Sequence, residues 1–238
     1  MAIDPSSPIK ITAFKWVPEF AQGQVRDLRV RWALEEVGRR YEVQYLALGE
    51  HKQPPHRARH PFGQVPTYQD NEVTLFESGS IVLHIAERFG GLLPDDRAAR
   101  ARAIQWMFAA LNTIEPPLMD YSIVTLFEAG KPWSEPRRPA VEARIHERLG
   151  ELSQRLGDRQ WLDGDGFTAG DLLMVTVLRI VEGKGLVERY DNLAAYMARG
   201  IARPGFKKAL ADQLSGFART PPPEASAWME KQQQGDER

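Results

Sequence analysis

Alternation of apolar and polar residues with period two, the mark of a half-buried strand, is confined in this 238-residue chain to the positions before Ser78. Every periodic segment after that point is helical. A sheet must therefore be assembled from the first part of the chain, and the rest must pack as helices alone. Ile9–Phe14 reads as the first strand. Val25–Val37 reads as a helix, with Leu28, Val30, Ala33, Leu34 and Val37 on its apolar face and Gly38 at its stop. Tyr41–Leu48 returns as a second strand. Strand, helix, strand at this spacing is a βαβ unit, which implies a parallel pair and a right-handed crossover. Val65–Gln69 and Glu72–Glu77 are two further strands joined at Asp70-Asn71, a pair suited to a tight turn. A helix over Ser78–Phe89 follows, ended by Gly90-Gly91.

The polar stretch Gly49–Arg59, with Pro54-Pro55 in its middle, reads as a surface loop or a short irregular helix. Leu92–Asp96 has the composition of an interdomain linker. Beyond it, a long helix over Arg97–Glu115 is expected to break at Pro116-Pro117 and to resume over Leu118–Glu128. Gly130–Pro139 reads as a loop. Ala140–Gly157 is amphipathic through Val141, Ile145, Leu149, Leu152 and Leu156. Thr168 and Asp171 form a capping signal ahead of the apolar run Leu172–Val181. Asn192–Gly200 and Phe206–Leu214 read as two short final helices. The residues after Ser215, including Pro221–Pro223 and Gln232–Gln234, have no period and form either a flexible end or a strap. The expected class is α/β followed by all-α. The expected domains are residues 9–90 and 97–214, with a polar tail over 215–238.

Composition removes several functions. With 31 basic against 32 acidic residues, a general nucleic-acid or membrane-surface role is not expected. The chain has no cysteine, so disulfides, thiolate metal sites and any reaction using the protein's own thiol are excluded. No metal is expected. Met1–Lys10 has neither the basic nor the apolar region of a signal peptide, and a cytoplasmic location is expected.

The densest cluster of site-like features is His60–Ile81. It combines a Val-Pro step, a polar turn, a short strand and a Glu-Ser pair opening a helix. Such a strand-turn-strand-helix unit offers backbone hydrogen-bonding groups and a helix N-terminus to a small peptide-like anion.

The domain order, with GEHKQPPHRARHPFGQVP (Gly49–Pro66), FESGSI (Phe76–Ile81), FTAGD (Phe167–Asp171) and YMARGIARPGFKKAL (Tyr196–Leu210), resembles the cytosolic glutathione S-transferases, most nearly their phi class. The resemblance spans roughly Ile9 to Leu214. It implies a thioredoxin-like N-terminal domain, glutathione as co-substrate and detoxifying transfer to a small hydrophobic electrophile. It implies that Val65-Pro66 is a cis-proline step whose Val65 backbone pairs with the cysteinyl part of glutathione. Glu77 and Ser78 would take its γ-glutamyl end, and His51, Lys52 and Gln64 its glycine carboxylate. Phe62 resembles the aromatic residue that inserts between helices of a partner subunit, so a homodimer is expected. Thr168, Asp171, Tyr196 and Arg203-Pro204 are assigned to folding.

One position departs from the family pattern. The family activates the glutathione thiol with a Ser, Tyr or Cys in the first loop or helix, yet Lys15–Leu34 holds none of these. Counted from Arg29-Val30-Arg31, the phi-class serine position falls on Gln24. A thiol of pKa about 8.5 needs roughly 2.7 kcal/mol of thiolate stabilisation to drop by about two units. The candidates to supply it are N–H groups at the start of the first helix, Arg26 and Gln24, although Arg26 is equally suited to an ion pair with Asp27 or Glu19. Trp16, Phe20, Met107, Leu111, Met119 and Tyr121 are candidates to line the second-substrate pocket. Glutathione-dependent disulfide reduction and non-catalytic binding of glutathione or a hydrophobic ligand are the competing readings.

Overall fold

The computed structural model describes residues 3–164, 166–223 and 225. The chain divides into two compact units. One runs up to Gly90 and resumes at Pro204, and the other is Gly91–Arg203.

The first unit is built on a four-stranded sheet of β1 (Lys10–Phe14), β2 (Glu42–Leu46), β3 (Tyr68–Gln69) and β4 (Thr74–Leu75), in the order β2-β1-β3-β4. β1 and β2 run parallel, with Lys10 opposite Glu42 and Phe14 opposite Leu46, while the β1–β3 and β3–β4 pairs are antiparallel. The βαβ-ββα order read from the sequence is therefore the observed one. Its helices are α1 (Asp27–Glu36), the single turn α2 (Pro54–Arg57) and α3 (Ser78–Phe89). Leu28, Val30, Ala33 and Leu34 of α1 and Ile81, Val82 and Ile85 of α3 are buried with Ile11 and Ala13 of the central strand.

The third strand is shorter than the sequence suggests, because Pro66 has no N–H to donate to a ladder. The Val65-Pro66 bond is cis. Thr67 makes the join to β1 instead. Its carbonyl accepts from the Thr12 N–H at 3.0 Å, and its own N–H donates to the Thr12 hydroxyl at 2.7 Å.

A last helix, α9 (Pro204–Gly216), belongs to this unit, although the sequence groups it with the helical domain. It packs along α1. Phe206 meets Trp32 edge-on with ring centres 4.9 Å apart, and the Lys208 ammonium lies 2.6 Å from Glu35.

The second unit is helical, with α4 (Arg97–Ala109), α5 (Glu115–Ser122), α6 (Ser134–Leu156), α7 (Ala169–Leu178) and α8 (Asp191–Ile201). The expected break at Pro116-Pro117 is absent. Wide π-type turns at Ala110–Ile114 and Ile123–Phe127 carry the helix from Arg97 to Phe127, and the two prolines occupy the opening positions of α5. Their missing N–H groups fall at a change of hydrogen-bond register, where they cost least. The expected loop over Gly130–Pro139 is likewise helical from Ser134 onward. Pro136 lies in the first turn of α6, where N–H groups have no intrahelical acceptor. The Ser134 hydroxyl bonds the Glu128 carbonyl and ties that turn down.

α7 is buried along its whole length. At its start Thr168 and Asp171 form a reciprocal capping box, and Asp171 also accepts from the Leu162 N–H at 2.9 Å and the Tyr196 hydroxyl at 3.0 Å. Of the tail, residues 224 and 226–238 lie outside the described residues, so the expectation of a flexible end or a strap over Gln232–Gln234 falls there.

Candidate functional site

Three parts of the first unit carry the site candidates: the start of α3, the loop between β2 and β3, and the turn leading into α1. Glu77 precedes α3 at φ +67°, the one non-glycine residue with positive φ among the described residues. A β-carbon in that region is uncommon and costs roughly 1–3 kcal/mol, a strain that concentrates at functional positions. No side chain caps α3. Ser78 is buried, and its hydroxyl accepts from Arg29 Nη1 at 3.3 Å. Arg29 is itself 5% exposed, so a guanidinium held in the interior stands behind the positive end of a helix. Sequence reading missed Arg29. Nothing in the sequence marked it, since an arginine on a helix ordinarily belongs to a solvated face.

The β2–β3 loop opens at Gly49 and makes a 3-10 turn over Glu50–Lys52 before α2. Lys52 donates from its ammonium to the carbonyls of Phe62 and Gly63, at 3.1 and 2.8 Å. His56 Nε2 meets the Gln64 carbonyl at 2.7 Å. Gly63 sits at φ +57°, where a Cβ would come within 2.6 Å of the His51 carbonyl, so only glycine lets the two limbs of the loop close. His51, Lys52 and Gln64 are thereby brought together, with Val65 and Pro66 next in chain. His51 packs its ring edge against Phe14 at 5.1 Å, and burial, then the neighbouring Lys52, lowers its pKa. No group among the described residues hydrogen-bonds the backbone N–H or C=O of Val65.

An aromatic chain joins this loop to the α3 start. His56 stacks near His60, and His60 lies 5.0 Å from the Phe76 ring and 6.2 Å from Phe62. Burial lowers the His60 pKa, partly offset by the Glu77 carboxylate. His56 and His60 are both buried; sequence reading left His56 in a polar loop and set His60 at the head of the site-like stretch.

The turn before α1 carries the catalytic candidates. Gln24 and Arg26 are both exposed. α1 itself starts at Asp27, two residues later than the apolar pattern suggests. Asp27 is buried and pairs with Arg31 at 2.7 Å. The Leu28 and Arg29 N–H groups already donate to the Val25 and Arg26 carbonyls, so they are engaged within the turn.

Of the second-substrate candidates, Trp16 is half-buried and Phe20 exposed in the first unit. Met107 and Tyr121 are buried in the second unit, while Leu111 and Met119 are half-buried there. A cleft of about 220 Å³ within that unit lies between α6 and α4 with the wide turn that follows it. Its lining includes Trp106, Ala109, Ile114 and Leu152, with Arg148 and Arg155 among its polar residues. Phe62 is 63% exposed. Among the described residues no group of three or more His, Cys, Asp or Glu could hold a metal ion, and no helix is long and apolar enough to cross a membrane.

The family models for the N-terminal and C-terminal domains of glutathione S-transferase match residues 20–87 and 135–199. Glutathione S-transferase F11 of Arabidopsis thaliana is 30% identical over 183 residues, covering 71% of this chain and 85% of the relative. The chain belongs to the glutathione S-transferase family. Among solved structures, glutathione transferase F2 of Populus trichocarpa superposes with a TM-score of 0.76 at 25% identity, covering 87% of this chain and 100% of that one. A glutathione transferase of Burkholderia graminis, solved with two glutathione molecules per subunit, gives 0.75 at 25% identity over 85% of this chain and 87% of that one. This glutathione transferase thus shares its two-part fold, a thioredoxin-like domain and a helical domain, with the family.

Proposed function

We propose that this glutathione transferase binds glutathione across His51–Ser78 and presents its thiolate to a small hydrophobic electrophile. The observation that carries the reading is the α3 start, a helix N-terminus without a side-chain cap, backed by the buried Arg29 and preceded by the strained Glu77. Such an end favours a carboxylate, here that of the γ-glutamyl group, while Glu77 offers a counter-charge to its ammonium. The unengaged Val65 backbone suits an extended peptide, which pairs with N–H and C=O groups as an added strand does. His51 and Lys52, with the Gln64 side chain, supply donors for the glycine carboxylate.

In the reaction, a sulfur–carbon bond forms from the thiolate lone pair. The leaving group departs with the pair of its broken bond, and the thiol proton has already passed to solvent. Thiolate stabilisation is assigned to the turn before α1, through Arg26, the Gln24 amide and backbone N–H groups there. Trp16 and Phe20 of the first loop are proposed to meet the apolar part of the electrophile.

In a second reading, disulfide reduction, glutathione would be the only thiol, because the chain has no cysteine of its own. That reaction would need two glutathione molecules to yield two thiols and glutathione disulfide. Turnover of an aryl chloride, a disulfide-reduction assay and ultraviolet titration of bound glutathione separate the readings. Aryl transfer with a lowered thiol pKa is expected. Binding without turnover in either assay would reject both enzymatic readings in favour of a binder.

The assembly is proposed to be a homodimer in which Phe62 of one copy enters the α4–α6 cleft of the other. Its support is an exposed aromatic residue on a polar loop and an apolar cleft floor. Phe62→Ala is expected to sediment as a monomer at micromolar concentration. A dimer of unchanged affinity would contradict this role.

A further inference from the structure

The turn that precedes α1 is held from both ends by the return of the chain after the helical unit. At its far end, the Gln213 side-chain amide donates to the Val25 carbonyl at 3.1 Å and to Asp27 Oδ1 at 2.7 Å. At the start of the first loop, the Ala218 N–H donates to the Lys15 carbonyl at 2.8 Å. Gln213 is 1% exposed, as are Asp27 and Arg31, so its amide works where water does not compete. The approach is close along the whole helix. A Cβ at Gly205 would come within 2.8 Å of Glu36 Oε1, and one at Gly216 would overlap the Tyr45 hydroxyl.

A glutamine amide needs no bond to both atoms merely to dock α9. The Trp32–Phe206 contact and the Lys208–Glu35 pair already do that. What the amide adds is specific. It joins a backbone carbonyl inside the turn to the first side chain of the helix, bracketing Arg26 and following Gln24 directly. Asp27 is thereby fixed by two partners, Arg31 at its other oxygen and Gln213 at this one.

We propose that Gln213 is a positioning residue for glutathione activation, holding the Gln24–Arg26 turn in the conformation that stabilises the thiolate. This rests on the reading of that turn given under Proposed function. Gln213 touches neither glutathione nor electrophile in this scheme. It acts through Val25 and Asp27, so its loss acts on the ionisation of bound glutathione more than on its affinity.

The test compares Gln213→Ala with Lys208→Ala in the full chain. The second variant removes an α9–α1 ion pair without touching the turn. Both are expected to lower the melting temperature by a few degrees. Only Gln213→Ala is expected to raise the thiol pKa of bound glutathione, by about half to one unit. It is also expected to cut kcat with an aryl chloride severalfold near pH 6.5, with KM for glutathione little changed and the deficit shrinking toward pH 9. Gln213→Asn, which keeps an amide, is expected to recover part of the shift. If the wild-type protein shows no lowered thiol pKa, the reading of the turn fails and this inference falls with it. If the wild type is shifted and Gln213→Ala titrates as Lys208→Ala does, the inference alone is overturned.

Discussion

The helix starts at α3 and α7 solve the same problem in opposite ways. Both must deal with N–H groups that the helix itself cannot pair. At α7 the answer is internal. Thr168 and Asp171 cap each other's backbone, and the second Asp171 oxygen takes Leu162 and Tyr196, so the carboxylate's bonding capacity is spent on the protein. At α3 no side chain caps the helix, the preceding residue is strained and a buried arginine reinforces the positive end. A closed helix start stabilises a domain, whereas an open one is available to an anion.

The largest effect expected from breaking this contrast is at α7. Asp171→Ala would leave the Thr168 and Leu162 N–H groups and the Tyr196 hydroxyl buried without their acceptor. A loss of about 3–5 kcal/mol in urea denaturation is expected. A loss below about 1 kcal/mol would show that the box is dispensable. Ser78→Ala is expected to do the reverse, leaving stability nearly unchanged while weakening glutathione binding about five- to twenty-fold by calorimetry. Equal loss of stability and affinity would erase the distinction between the two starts.

The smallest expected effect is a pH dependence in the loop that flanks α3. Burial lowers His60 and His51 below their ordinary value of 6.5. The unfolded chain therefore takes up these protons before the folded one does. Their contribution is full above about pH 6.5 and declines as the pH falls below it toward the depressed folded values. His60→Phe is expected to flatten the decline in urea midpoint between pH 7 and pH 5. A decline as steep as wild type would place the titration elsewhere.

The α7 start was legible because its parts are local. Thr168 and Asp171 stand at cap spacing before an apolar run, and nothing distant is needed to recognise them. Glu77-Ser78 was legible as a helix start open to an anion, but its γ-glutamyl role came only through likeness to a family, since Ser before an apolar helix is an ordinary capping residue. Arg29 and Gln213 were not legible at all. Polar residues of their kind usually belong to solvated faces, and their burial arises from elements far apart in sequence. The helical starts at Pro116-Pro117 and Ser134 were hidden for a related reason. Proline reads as a breaker, yet at an opening turn or a register change its missing N–H removes little.

The first unit is discontinuous, and its two pieces are separated by the entire helical unit. On the ribosome, β1, α1 and the sheet emerge early, but the face of α1 that carries Asp27, Arg31, Trp32 and Glu35 stays uncovered while residues 91–203 are made. Vectorial synthesis therefore delivers the sheet first and its last buttress at the end. Until α9 arrives, the half-built unit shows Trp32 and an ion pair meant for the interior, and nascent chains paused inside the helical unit should be the ones that chaperones hold.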